Sequence, residues 1–352
     1  MVTANESVLI ARLDRRLNEG PPYGIVTETA DELAADLGAK RVALLLADYS
    51  GTTLERVEPG EWPSETESLP IEGTSAGVAQ MEQRLVVEGE GSEWTVWAPV
   101  VIRGERLGVL EVVLSQVPDE ETRQLLCQVA GTMAGAVVAA RPYTDLFHRV
   151  RRRKELALAA ELQWELLPVL ECSTPDFWLA GGLEPAYEIA GDSFDYAVGP
   201  GRLSLAIIDG MGHGLGAALL ATLVMAAVRN ARRWNHGVAD QAQGASQAVL
   251  EQFGGDKFVT ALLIEIDRSN GQALAINAGH PPPVLVRRGR TTHVPLVPDL
   301  PLGLWPDLGY HVQRFQIAPG DRLVLVSDGV TEASSTGGEQ FGVDRLACLV
   351  AE

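Results

Sequence analysis

Asp209 closes an apolar run, Leu203 to Ile208, and opens Gly210-Met211-Gly212-His213-Gly214-Leu215-Gly216. Asp328 stands at the end of a second run, Leu323 to Ser327, and is followed at once by Gly329. Asp192 and Asp195 come just after Gly191. Short carboxylates delivered at strand ends, beside glycines that let the backbone converge, suit a hard divalent cation such as Mg²⁺ or Mn²⁺, which prefers oxygen ligands and keeps part of its water. Two such ions about 4 Å apart, bridged by one carboxylate, can hold a hydroxide for attack on phosphorus. A single Asp-Gly pair is only a turn signal. Acids beside glycine at three places in one stretch of chain point to a site. No serine or cysteine stands in a nucleophile elbow, so direct attack by water is the economical chemistry.

One alternative fails on its context. Gly212-His213-Gly214-Leu215-Gly216-Ala217 fits the dinucleotide-binding pattern after a strand and before a helix. That fold needs a second strand ending in an acid about twenty residues on. Arg229 to Arg233 stand there instead, and an aspartate at the strand end would repel a pyrophosphate.

The 352-residue chain has a formal net charge of −19, with 46% hydrophobic and 21% charged residues. Its length suits two domains. The charge argues against nonspecific nucleic-acid binding and fits a basic partner or a divalent metal, although acidic proteins are common. Cys127, Cys172 and Cys348 are far apart and odd in number, which reads as a reducing, cytoplasmic setting. Glu6, Asp14 and Glu19 interrupt the N-terminus, so no signal peptide is expected. The apolar runs Leu215–Val228 and Val129–Ala140 read as too short to span a bilayer.

The elements around these residues change character near Pro142. Before it, Arg41–Ala47 reads as a buried strand, Glu55–Leu69 as a loop, and Trp94–Val101 with Leu107–Leu114 as a hairpin turning at Arg103 to Arg106. An acid-capped helix runs from Pro118 to about Ala140. Thr144–Leu167 reads as one long helix. Leu146, Val150, Ala157, Ala160, Trp164 and Leu167 form either a coiled-coil seam for a homodimer or one face of a simple connector. Its basic cluster, Arg149 and Arg151 to Lys154, is either a solvated face or a membrane or partner contact. Beyond Pro168, strands are expected at 178–183, 203–208, 259–266, 272–277, 284–287 and 322–326. Helices are expected at 216–234, 238–253 and 343–350. This is an α+β layered sandwich rather than a doubly wound sheet.

The hairpin APVVIRGERLGVLEVV and the acid-capped helix after it resemble a GAF domain over residues 1–141, with a PAS-like sensor as the alternative. Residues 142–168 are then a helical linker and 169–352 a second domain. From residue 172 onward the stretches EIAGDSFDY, LSLAIIDGMGHGLGAALLAT, FVTALLIEID, INAGHPPPVLV, PLGL, GDRLVLVSDGVTEA and QFG resemble, in order, the SpoIIE-type or RsbU-like branch of the PPM phosphatases, which are protein phosphatase 2C-like.

That resemblance implies a β-sandwich flanked by helices (αββα) with two Mn²⁺ or Mg²⁺ ions at one end. It implies that Asp209 bridges the ions, that the Gly210 carbonyl and Asp192 serve one of them, and that Asp328 serves the other. Asp195 would stand behind the ligands. His213 would act as a general acid, position phosphate, or fix the glycine-rich turn. Asn277, Gly279 and His280 would be structural. The family pattern continues with a helix and a strand bearing Asp-Asp before a threonine. No such pair follows Phe341-Gly342 here, and Asp344 stands too early, so the last helix and strand are expected to be lacking and one metal weakened. Glu332, four residues after Asp328, is the first substitute acid to consider. The implied function is a phosphatase acting on phosphoserine or phosphothreonine of an anti-sigma-factor antagonist, regulated by an unidentified signal at the sensor. The alternative is a phosphatase-like binding module without turnover.

Overall fold

The computed structural model describes residues 4–60, 67–184, 190–306, 309–335 and 337–351. Residues 61–66 of the expected loop, Glu188 and Ile189 of EIAGDSFDY, the side chain of Glu6, and Glu352 lie outside the described residues. Contacts divide the chain into two compact units. The first is Met1–Glu155 with Val169–Ala180, and the second is Leu156–Pro168 with Gly181–Glu352.

The first unit runs α1 (Ala4–Glu19), α2 (Ile25–Leu37), β1 (Arg41–Ala47), β2 (Thr53–Val57), β3 (Ser68–Pro70), α3 (Ser75–Glu82), β4 (Val86–Glu90), β5 (Glu93–Ile102), β6 (Glu105–Leu114), α4 (Glu120–Ala140) and α5 (Leu146–Val150). All strand pairings are antiparallel, in the order β3-β2-β1-β6-β5-β4. Leu44, Leu46, Val96 and Leu110 on one face pack against Leu13, Leu33, Leu126 and Met133 of α1, α2 and α4. Ala43, Leu45, Trp97 and Val109 on the other face meet Ala76 and Ala79 of α3. The expected hairpin forms because Arg103 (φ 52) and Gly104 (φ 91) both take the left-handed conformation that a tight two-residue turn needs. The expected helix start also forms, with the Asp119 carboxylate accepting from Thr122 N at 2.8 Å. Glu55 to Val57, expected in a loop, instead belong to β2.

The single helix expected over 144–167 is not formed. Helix α5 ends at Val150, and α6 (Leu158–Leu166) begins only after an irregular stretch. The Arg151 Nε donates to the Ala47 carbonyl at 2.8 Å, and its guanidinium lies 4.6 Å from the Tyr49 ring centroid. This tertiary anchor overrides helix propensity. Arg151 is therefore no part of a solvated basic face. Leu146 and Val150 are spent in the first core, and Ala160 is buried in the second unit. The seam read for pairing is not present as one surface. Strands β7 (Glu171–Ser173) and β8 (Trp178–Ala180) pair with each other and group with the first unit, so 178–183 adds no strand to the second.

The second unit continues from α6 with β9 (Ala190–Gly199), β10 (Arg202–His213), α7 (Leu215–Arg233), α8 (Val238–Phe253), β11 (Val259–Asp267), β12 (Gln272–Ala278), β13 (Val284–Arg287), β14 (Arg290–His293), β15 (Gln313–Gln316), β16 (Arg322–Val324), α9 (Asp328–Glu332) and α10 (Gly342–Ala351). One antiparallel sheet has the order β15-β12-β11-β10-β9 and a second the order β14-β13-β16. Ala206, Ile208, Ala261, Leu263 and Ile276 turn one face of the larger sheet toward α7 and α8, which answer with Leu220, Val224, Met225 and Val249. Each buried Leu, Ile, Val or Met among them contributes roughly 1.5–3 kcal/mol. Helix α10 packs against the smaller sheet. This is a β-sandwich flanked by helices. By length and composition, α4 together with the turn to Tyr143, and α7, could each cross a membrane, which corrects the shorter apolar runs read from sequence. Both bury apolar faces in the two cores.

Candidate metal centre

Alternation along a strand places every second side chain on the same face. On β10, Ala206 and Ile208 face α7, so Asp209 faces the other way. Asp192 of β9 is its direct cross-strand partner, and side chains so paired share a face. The strand does not stop at Ile208, as read from sequence, but runs on to His213 through an irregularity between Asp209 and His213.

The glycines here have separate jobs. A Cβ at Gly191 would overlap the Gly210 carbonyl oxygen, so glycine keeps that oxygen in place. Gly212 (φ 99) and Gly214 (φ 70) make the turn into α7, whose N-cap receives no side-chain hydrogen bond. His213 is exposed at the end of β10, and the turn is built by glycine geometry rather than by its ring.

Asp328 does not end a strand. Strand β16 stops at Val324, and Asp328 is the first residue of the short helix α9. The preceding Ser327 donates its hydroxyl to Asp192 Oδ2 at 2.9 Å. Asp192 Oδ1 is buried and has no hydrogen-bond partner. Burial raises the Asp192 carboxyl above its ordinary value, the Ser327 hydroxyl opposes that, and the charge of Asp328 adds to it. Burial, followed by the charges of Asp192 and Asp328, pushes Asp209 up from 3.8 to about 6. Two carboxylates face each other with a third near enough to be felt. An orphaned buried oxygen and a paired carboxylate held toward neutrality fit a divalent cation, which would relieve both.

Among the described residues no group of three or more His, Cys, Asp or Glu is drawn together closely enough to hold a metal. The centre is therefore the cross-strand pair Asp192 and Asp209, with the charge of Asp328 felt by both. Glu332 is exposed one turn along α9 from Asp328, on the same side of that helix.

Asp195 is not beside this pair. It is buried on the opposite face of β9, where its two oxygens accept from Arg229 Nη2 and Arg232 Nη2 of α7, each at 2.7 Å. It joins helix to strand. Thr260 is the cross-strand partner of Asp209 on β11, and its hydroxyl lies 2.9 Å from His280 Nδ1. Asn277 Oδ1 accepts from His280 N at 2.8 Å. Thr260, His280 and Asn277 brace the strand ends, with Asn277 inside β12. Sequence reasoning missed Ser327, Thr260 and Gln163, whose side-chain amide donates to the Asp192 carbonyl at 2.8 Å. The available signals were a hydroxyl adjoining Asp328 and a lone amide on the apolar side of α6.

Residues 199–352 match the family described as Stage II sporulation protein E (SpoIIE), and residues 22–137 match the GAF domain. The chain thus carries a GAF domain followed by a SpoIIE-type, protein phosphatase 2C-like domain. Protein IcfG of Synechocystis sp. is 28% identical over 225 residues, covering 55% of this chain and 35% of that protein. Phosphoserine phosphatase RsbP of Bacillus subtilis is 23% identical over 197 residues, covering 53% of this chain and 48% of the relative. Phosphoserine phosphatase RsbU of the same organism is 24% identical over 187 residues, covering 53% and 56%. The chain spans between about a third and just over half of the length of these relatives.

Proposed function

We propose that the second unit is a metal-dependent protein serine/threonine phosphatase, acting on phosphoserine or phosphothreonine of a regulatory protein of the anti-sigma-factor-antagonist type. The GAF unit regulates it in response to a signal of unidentified chemistry. The observation that carries this reading is the Asp192–Asp209 pair, in which Asp209 is held near 6 by burial and by its neighbours' charge. Asp192, Asp209, Asp328 and the Gly210 carbonyl would hold Mn²⁺ or Mg²⁺. When bound, the ions supply the charge that neutralises phosphoryl oxygens and acidifies the attacking water. His213, exposed at the end of the strand that carries Asp209, would steady the phosphate or protonate the departing alkoxide oxygen. The likeness to the phosphoserine phosphatases RsbP and RsbU supports phosphoserine as a substrate.

A second reading, a binding module without turnover, is favoured by one observation. No third ligand is gathered tightly around the pair among the described residues. Hydrolysis of p-nitrophenyl phosphate and of a phosphoserine peptide, measured with and without Mn²⁺, separates the two. A phosphatase hydrolyses both only with metal, and Asp209→Ala and Asp328→Ala each lower turnover by orders of magnitude while the chain stays folded. Mn²⁺ binding without hydrolysis establishes the binding module. Unchanged activity in both variants removes the metal reading.

A further inference from the structure

Asp192 is gripped from two directions, by the residue that precedes α9 and by helix α6. Ser327 takes its carboxylate. Gln163, in the middle of α6, takes its main-chain carbonyl with an Nε2–O distance of 2.8 Å. Gln163 is 1% exposed, so this amide is buried at considerable desolvation cost unless its bonds are well made. Helix α6 is itself fastened on the same side. Ala159 and Ala160 are buried, and their small side chains let α6 approach α7 closely. Arg229 Nη2 of α7 donates to the Leu166 carbonyl at the end of α6 at 2.6 Å and to Asp195 Oδ1 at 2.7 Å. The helix is thereby tied to β9 directly at Asp192 and through Arg229 at Asp195, one tie on each side of Ser193 and Phe194.

We propose that Gln163 is a positioning residue for Asp192, and that α6 sets the place of this carboxylate relative to Asp209. The inference rests on the metal-centre reading above. A carbonyl pinned from α6 fixes the peptide that carries Asp192, and the carboxylate follows its own backbone. With Ser327 holding one oxygen, Oδ1 is presented toward the pair only while the peptide stays in register. Release of Gln163 frees β9 at the position directly opposite Asp209, where a shift of a few tenths of an ångström alters the ligand geometry.

The test is Mn²⁺ binding to the full-length chain by titration calorimetry, with no substrate present. Gln163→Met keeps the length and packing of the side chain and removes the donor. The expected result is Mn²⁺ affinity weakened about 10–100-fold, as for the loss of an outer support of a metal ligand. The metal-free melting temperature should fall by only about 2–4 °C, as for one lost hydrogen bond. A residue that merely packs would lower the melting temperature and leave the affinity alone, and that outcome overturns the proposal. Wild-type protein that binds no Mn²⁺ refutes the metal reading itself, which keeps the two failures distinct. If Gln163→Met does not fold, hydrogen exchange of the wild-type protein decides. Peptides spanning residues 158–166 should exchange more slowly with Mn²⁺ present, because a metal that fixes Asp192 also fixes the helix bonded to it. Exchange there that is indifferent to Mn²⁺ overturns the proposal.

Discussion

Asp209 on β10 and His280, just past the end of β12, stand on either side of β11 and are displaced in ways that oppose each other in stability. Burial lowers His280 from 6.5 to about 4, whereas burial and the Asp192 and Asp328 charges raise Asp209 from 3.8 to about 6. Between these limits the unfolded chain binds the histidine proton and the folded chain does not, so the His280 contribution grows as pH rises. For Asp209 the folded chain keeps a proton that the unfolded chain has released, so its contribution falls as pH rises through the same window. The carboxylates held low, such as Asp48 and Asp321, act only below their ordinary values. The metal-free wild-type protein should therefore show a shallow net dependence from about pH 4 to 6. Comparison with Asp209→Asn isolates one side of the balance, because His280 is common to both. In EDTA the variant should melt above wild type at pH 7.5, and the gap should close near pH 4. Mn²⁺ should raise the wild type and not the variant. A gap independent of pH in thermal melts would show that Asp209 is not strained by its neighbours.

Strands β9 and β10 and helix α7 show what the sequence makes legible at the level of elements. The apolar run before Asp209, the hairpin at Arg103 and the acid cap at Asp119 were all readable, because each is a local pattern with a local cause. Strand β9 was not read as a strand. Gly191, Asp192, Ser193 and Asp195 are poor strand formers, and only pairing with β10 keeps them extended. Without that strand, the three-residue spacing of Asp192 and Asp195 gave no hint that they face opposite ways. The long helix expected at 144–167 failed for the converse reason, since its periodicity was sound but Arg151 found a better partner in the first core. Asp195 is accordingly an element-level residue. Its side chain is 2% exposed and the two arginines 20% and 17%. Asp195→Asn leaves two guanidinium groups without a counter-charge. It should cost about 2–3 kcal/mol, somewhat less than a fully buried pair because the arginines keep partial exposure. Mn²⁺ affinity of the folded protein should change less than in Asp209→Asn. Urea titration and calorimetry on the same sample check both. An unchanged urea midpoint would remove Asp195 as the tie between α7 and β9.

At the scale of the molecule, two cores are threaded by one chain that changes unit three times. It leaves the first unit after Glu155, returns at Val169 and leaves again after Ala180. Pro168, the natural boundary by sequence, therefore cuts α6 away from the unit to which it belongs. The consequence is testable with two fragments, residues 156–352 and 169–352. Both carry the 171–180 hairpin away from its own unit, so that burden does not distinguish them. Only the longer fragment keeps Ala159 and Ala160 in the core, Gln163 on the Asp192 carbonyl and Leu166 on Arg229. The longer fragment should bind Mn²⁺ as the full chain does. The shorter one should expose the face of α7 that α6 covers, self-associate in light scattering, melt lower and bind Mn²⁺ about 10–100-fold more weakly, because Asp192 has lost an outer support. If 169–352 matches 156–352 in melting temperature and in Mn²⁺ affinity, α6 is only a connector. The metal centre would then be set by the strands and Ser327 alone.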